Sequence, residues 1–199
     1  MKAYSVNTLL GLGLAGWLAA CSPSYEKKIE ADRQSRNEFM RGEESPLPSL
    51  EMQLFEGLDF YPINETYRVI ANVERLPVGQ YYRLPLTDGG SDQYVKFGFA
   101  VFELLGSEHQ LLLLRNPRER SQLFLAFTDL TNGDGSYGGG RYLDLEYNNS
   151  GKLVIDFNQA YNPFCAYSGQ YVCPVPPQEN HLEIPVPAGE KTYQSHSEE

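Results

Sequence analysis

Arg141-Tyr142-Leu143-Asp144-Leu145-Glu146-Tyr147 places Leu143, Leu145 and Tyr147 on one face and Asp144 and Glu146 on the other. That period of two marks a strand with one side buried and one side wet. Beyond Asn148-Asn149-Ser150-Gly151, a cluster of turn residues, Leu153, Ile155 and Phe157 repeat the alternation, so the two runs read as arms of a β-hairpin. Upstream, Gln93 to Leu105 is apolar on both faces, with Val95, Phe97, Phe99 and Val101 on one and Ala100, Phe102 and Leu104 on the other. Such a run predicts a central strand. Tyr67 to Glu74 alternates again, and Tyr81 to Leu86, Leu111 to Leu114, Leu123 to Phe127 and the proline-limited His181 to Val186 complete the set. About eight short strands with no strong helix among them predict a mainly β fold, a single antiparallel β-sandwich or closed β-barrel.

The strands are preceded by a different composition. Ser24 to Gly42 is charged and lacks Pro and Gly before its last residue, with Ile29, Phe39 and Met40 as its few large apolar side chains. It predicts an N-terminal helix, capped by Ser22 or Ser24 and stopped at Gly42, mostly solvated and serving as a stalk that lies against the domain edge. Ser45-Pro46-Leu47-Pro48 then breaks it, and a short apolar piece, Leu50 to Leu58, follows. Before the stalk, one basic residue, Lys2, leads into an apolar run from Leu9 to Ala20 that ends in Leu18-Ala19-Ala20-Cys21. This is the anatomy of an export signal, and its last four residues resemble the lipobox of bacterial lipoproteins. As a helix, twelve residues rise about 18 Å, short of a bilayer core of roughly 30 Å. The resemblance implies cleavage after Ala20, acylation of Cys21 and attachment to a membrane; Ser22 at the next position leans towards the outer membrane, with the domain facing the periplasm. The organisation is then a signal over 1–20, an anchor, stalk and linker over 21–48, a β domain over 49–191 and a flexible tail over 192–199.

The chain has 16 Lys and Arg against 26 Asp and Glu, a net charge of −10. Removal of residues 1–20 takes away Lys2 and no acid, which makes the remainder more acidic still. Such a surface repels nucleic acid and anionic headgroups. Of three cysteines, Cys21 is assigned to lipid, leaving Cys165 and Cys173. In an oxidising compartment this pair predicts a disulfide, worth roughly 2.5 kcal/mol in the chain-entropy model. Seven residues between the thiols fit neither a thioredoxin motif nor a usual zinc spacing. Neither a metal nor a cofactor is called for.

Polar motifs concentrate near the C-terminus. Asp129-Leu130-Thr131-Asn132-Gly133 and Tyr137-Gly138-Gly139-Gly140-Arg141-Tyr142-Leu143 come first. Asp156-Phe157-Asn158, Tyr161-Asn162-Pro163-Phe164-Cys165-Ala166-Tyr167, Cys173-Pro174-Val175-Pro176-Pro177, Asn180 and Ala188-Gly189-Glu190-Lys191 follow. Together these resemble the bacterial and archaeal family known as domain of unknown function 1684, over most of residues 36–191. That resemblance implies a compact β fold and brings no reaction with it.

The glycine-rich turn at 133–141 can either nest an anion, with Arg141 supplying a fork, or serve as a hairpin that needs positive φ angles. It has neither the phosphate-loop pattern nor calcium-loop spacing. Asp144 and Asp156 can neighbour each other on one polar face, as solvent-facing residues or as an acid–base pair. Six of the 14 tyrosines fall between Tyr137 and Tyr171, and each offers an apolar ring with a hydroxyl handle. Asp134-Gly135-Ser136-Tyr137-Gly138 misses the nucleophile elbow by its first residue, and only three histidines exist to serve a triad. The ligand-binding candidates are therefore Arg141, Tyr142, Asp156, Asn158, Tyr161, Asn162, Glu190 and Lys191, in a binding domain for a small polar ligand or an envelope protein. The alternative is a small hydrolase using carboxylates or a cysteine-bound metal.

Overall fold

Alternating strands need partners for both backbone edges, and a curled sheet supplies nearly all of them. The computed structural model describes residues 24–118 and 122–195. Among these, eight strands form one sheet: β1 (Arg68–Arg75), β2 (Tyr81–Pro85), β3 (Ser91–Leu104), β4 (Ser107–Arg115), β5 (Gln122–Asp129), β6 (Arg141–Glu146), β7 (Lys152–Asp156) and β8 (His181–Leu182). The order is β6-β5-β4-β3-β1-β7, with β2 added to β3 and β8 to β5. Every pairing is antiparallel except the two-residue β8, which runs parallel to β5. The sheet curls until its end strands approach, so the architecture is a nearly closed barrel rather than a sandwich.

The predicted central strand is β3, which pairs with β1, β2 and β4. Its face assignment differs from simple alternation. A bulge between Lys96 and Gly98 shifts the register, so Phe97 turns into the same core as Ala100, Phe102 and Leu104 while Phe99 joins the opposite side. Gly98 permits this close approach: a Cβ there would lie 2.5 Å from the Glu74 carbonyl oxygen. The unbroken apolar run in β4 has a similar origin. Leu111 and Leu113 enter the barrel, whereas Leu112 and Leu114 pack beneath β2 with Leu84.

The expected β6–β7 hairpin does not form. Although only residues 147–151 connect them, β6 pairs with β5 and β7 with β1. Their facing edges are the seam of the barrel. Part of the β6 edge is covered by the exchange of backbone hydrogen bonds between Tyr142 and Tyr161, at 2.9 and 3.0 Å.

The N-terminal helix is present as α1 (Tyr25–Met40), with the Ser24 side chain accepting from the Lys27 N–H. It lies docked against the rest of the domain while staying largely solvated. Ile29 and Met40 are buried, and Met40 shares a second core with Leu47, Phe55, Leu58 and Tyr167. The linker is thus part of the domain, together with the short helix α2 (Ser49–Leu54). Residues 192–195 are also tied down. Thr192 N–H donates to the Gly135 carbonyl, while Tyr193 and Ser195 donate to the buried Glu51 carboxylate. The signal over 1–20, Cys21 and the last four tail residues lie outside the described residues. No described helix is long and apolar enough to cross a membrane.

Candidate functional site

Strand β6 begins with Arg141, whose side chain is fully buried. Its Nη2 donates to Asp129 Oδ2 at 2.8 Å and to the Val186 carbonyl at 2.9 Å, and its Nη1 donates to the Ala188 carbonyl. Asp129 Oδ1 in turn accepts from the N–H groups of Thr131 and Val186. The guanidinium fork therefore closes on an internal carboxylate and on the 186–188 strap. The glycine-rich turn serves that closure: Gly140 has φ +91°, and a Cβ there would meet the Phe127 carbonyl oxygen at 2.6 Å. Tyr142, next along, donates its hydroxyl to the Pro174 carbonyl.

Where the strap continues, Glu190 becomes the acceptor for three donors. Arg36 Nε lies at 2.7 Å, Asn162 N–H at 2.9 Å and the Tyr167 hydroxyl at 2.5 Å. Glu190 is 1% exposed, so these bonds replace its water. Burial opposes the charge on Arg36, but Glu190 and Tyr167 outweigh it and raise the Arg36 pKa. Tyr167 is pushed well above the ordinary phenol range, first by burial and then by Glu190. The Arg36 guanidinium also lies 4.6 Å over the Tyr161 ring, whose hydroxyl donates to Asp144 at 2.6 Å. Asn162 donates to the Lys191 carbonyl, and the Lys191 ammonium sits over the Tyr61 ring.

A third cluster fixes the other end of α1. Asp156 ends β7, caps the turn at 157–159 and accepts from the Tyr25 hydroxyl at 3.0 Å. Asn158 is bonded on both sides, accepting from Asn64 N–H and donating to the Tyr25 oxygen and the Asn64 carbonyl. Burial, with Asp156 beside it, raises the Tyr25 pKa. All three clusters run through the polar motifs between residues 129 and 191. Their partners on α1, Tyr25 and Arg36, lie outside those motifs.

Between α1 and the barrel these clusters leave a cleft of about 180 Å³, lined by Ile29, Asp32, Arg33, Arg36, Phe60, Asn158 to Tyr161 and Glu190. Of the sequence candidates, Asn158, Tyr161 and Glu190 face it. Asp156 lines a neighbouring groove with Lys28, Arg68 and Asp144, which shares Asp32 and Gln159 with the cleft. Arg141, Tyr142, Asn162 and Lys191 do not line the cleft. A signal for the missing wall was available: Ile29, Arg33, Arg36 and Met40 recur at helical spacing and form one stripe.

The family model described as "Protein of unknown function (DUF1684)" matches residues 53–191. The chain belongs to this family. A solved relative, an uncharacterised protein of Haloarcula marismortui determined by solution NMR, is 36% identical with a TM-score of 0.69, covering 84% of this chain and 94% of that one. Among curated proteins none shows significant similarity.

Cys165 and Cys173 of the DUF1684 domain, expected to be bonded to each other, are free thiols. Cys173 Sγ instead accepts the Cys165 N–H at 3.0 Å, and the Tyr137 hydroxyl reaches Cys165 Sγ at 3.8 Å. Burial pushes the Cys173 thiol up to about 12. The two described histidines are engaged elsewhere, His181 with Thr128 and His109 with the Leu104 carbonyl. Among the described residues, no group of three or more His, Cys, Asp or Glu is arranged to hold a metal ion.

Proposed function

We propose that this DUF1684 protein is a lipid-tethered protein of the bacterial cell envelope, attached to the outer membrane on its periplasmic side through acylated Cys21, whose β domain binds a small ligand without transforming it. The observation that carries the binding role is the cleft beneath α1, an apolar floor crossed by two arginines. Leu18-Ala19-Ala20-Cys21 carries the tether. Export would also bring Cys165 and Cys173 into a compartment where adjacent thiols oxidise. The hydrolase alternative has less support, because the carboxylates it would use are already bonded: Asp144 to Tyr161 and Asp156 to Tyr25.

Two measurements test the reading. Metabolic labelling with a fatty-acid analogue should mark the wild-type protein and not Cys21→Ala; an unlabelled wild type refutes the tether. An NMR screen of small fragments against the full chain in detergent should shift the Ile29 methyl signals. If no fragment perturbs Ile29, the cleft is packing and not a binding site.

A further inference from the structure

Arg33 is the one cleft cation whose bonding is incomplete. Arg36 is held by Glu190 and the Asn162 carbonyl. Arg33 makes one described hydrogen bond, from Nη2 to the Tyr61 carbonyl at 2.9 Å, and lies 4.6 Å over the Phe60 ring. Its Nε is buried with no hydrogen-bond partner among the described residues. A partly desolvated guanidinium whose Nε lacks a partner is a costly arrangement, and a carboxylate is its best geometric complement, since two oxygens match the planar fork. Burial, the largest influence on this group, lowers its pKa, as expected for a cation short of partners.

The remaining wall narrows the ligand further. Ile29, Phe60 and Ala160 are apolar, suited to a short hydrocarbon body. A volume of about 180 Å³ corresponds to about six water molecules at roughly 30 Å³ each, hence a ligand of about six heavy atoms. Asp32 also lines the cleft but is exposed and already accepts from Gln159 at 2.6 Å. It gains less from a ligand than Arg33 does, and it disfavours a second negative charge.

We propose that the α1 cleft takes a short-chain monocarboxylate, its carboxylate on Arg33 and its alkyl part between Ile29 and Phe60. This rests on the binding role above and adds the ligand class. The test uses the full-length protein in detergent micelles, with sodium butyrate as probe and butyramide as its neutral counterpart, both read at the Ile29 methyl signals. Butyrate should bind, with butyramide weaker by about tenfold, the scale of one hydrogen bond to a charged group. Arg33→Ala should weaken butyrate by about tenfold. Asp32→Asn, which keeps its bond to Gln159, should tighten butyrate by about threefold through loss of a screened repulsion. That second variant decides the matter even if Arg33→Ala loosens α1. Equal binding of the amide, or weaker butyrate binding in Asp32→Asn, overturns the carboxylate assignment and leaves a ligand cleft standing. Silence of Ile29 towards every compound overturns both.

Discussion

Replacing Arg141 with methionine separates an internal strut from a ligand-binding arginine. The guanidinium and the Asp129 carboxylate have no solvent exposure and meet at 2.8 Å. Removing one partner of a buried ion pair costs about 3–5 kcal/mol, because the other charge stays behind without compensation. Arg141→Met also removes the donors to the Val186 and Ala188 carbonyls, and each buried acceptor left open adds about 1–3 kcal/mol. Methionine keeps much of the aliphatic volume, so cavity formation contributes little. A loss of about 5 kcal/mol or more is expected, against a total of roughly 5–15 kcal/mol for a domain of ordinary stability. Urea unfolding should be followed by circular dichroism, since the only tryptophan, Trp17, lies outside the described residues. The companion variant Asp129→Asn and the double variant complete a cycle, in which the double change should cost less than the two singles together, by up to about 3 kcal/mol. A loss below about 1 kcal/mol for Arg141→Met would falsify the strut: it would mean that water serves the strap and that the guanidinium is available to a ligand.

Three further outcomes follow from the same geometry. Gly189→Ala should destabilise by about 2 kcal/mol or more in the same unfolding assay, because φ is +80° and a Cβ would lie 2.5 Å from the Ala160 carbonyl oxygen. Alkylation of the native, reduced protein at mildly alkaline pH should mark the partly exposed Cys165 well before Cys173, whose thiol is buried and raised to about 12; mass spectrometry showing equal labelling counts against that burial. Tyr137 is raised to about 12 by burial and then by Cys165, and burial also raises Tyr142, Tyr161 and Tyr167. Protonated phenols are thus favoured in the folded state, so this contribution is complete below the unfolded phenol pKa of about 10 and is lost as pH rises through the folded values. Urea midpoints should fall above that point, and midpoints flat to about pH 12 would contradict it.

Much of the barrel could be read along the chain because its cause is local. Period-two apolar spacing is written into Ala71-Asn72-Val73 and Leu143-Asp144-Leu145, and a strand with a buried face needs little more. Ser24 and Gly42 likewise bracket α1. The motif residues also announced themselves by composition, as a crowd of Tyr, Asn and Asp between 129 and 191. Their task did not. Arg141 fits either a fork for an outside anion or a plain hairpin, because nothing near it in sequence reveals that Asp129 folds back beneath it.

Register and long-range pairing lie beyond any local signal. The bulge at Gly98 reverses which phenylalanines face the core, and only the approach of the β1 backbone, at Glu74, makes that glycine necessary. A short turn between β6 and β7 implied a hairpin, yet each strand pairs with a different neighbour because closing the sheet places them at its two ends. Arg36 and Glu190 stand 154 residues apart. Local spacing sets the period of each element, so the sequence by itself determined the kinds of element and their order. Contact between distant charges depends on how the whole sheet curls, so the tertiary structure alone decided that α1 would lie across the barrel and leave a cleft beneath it.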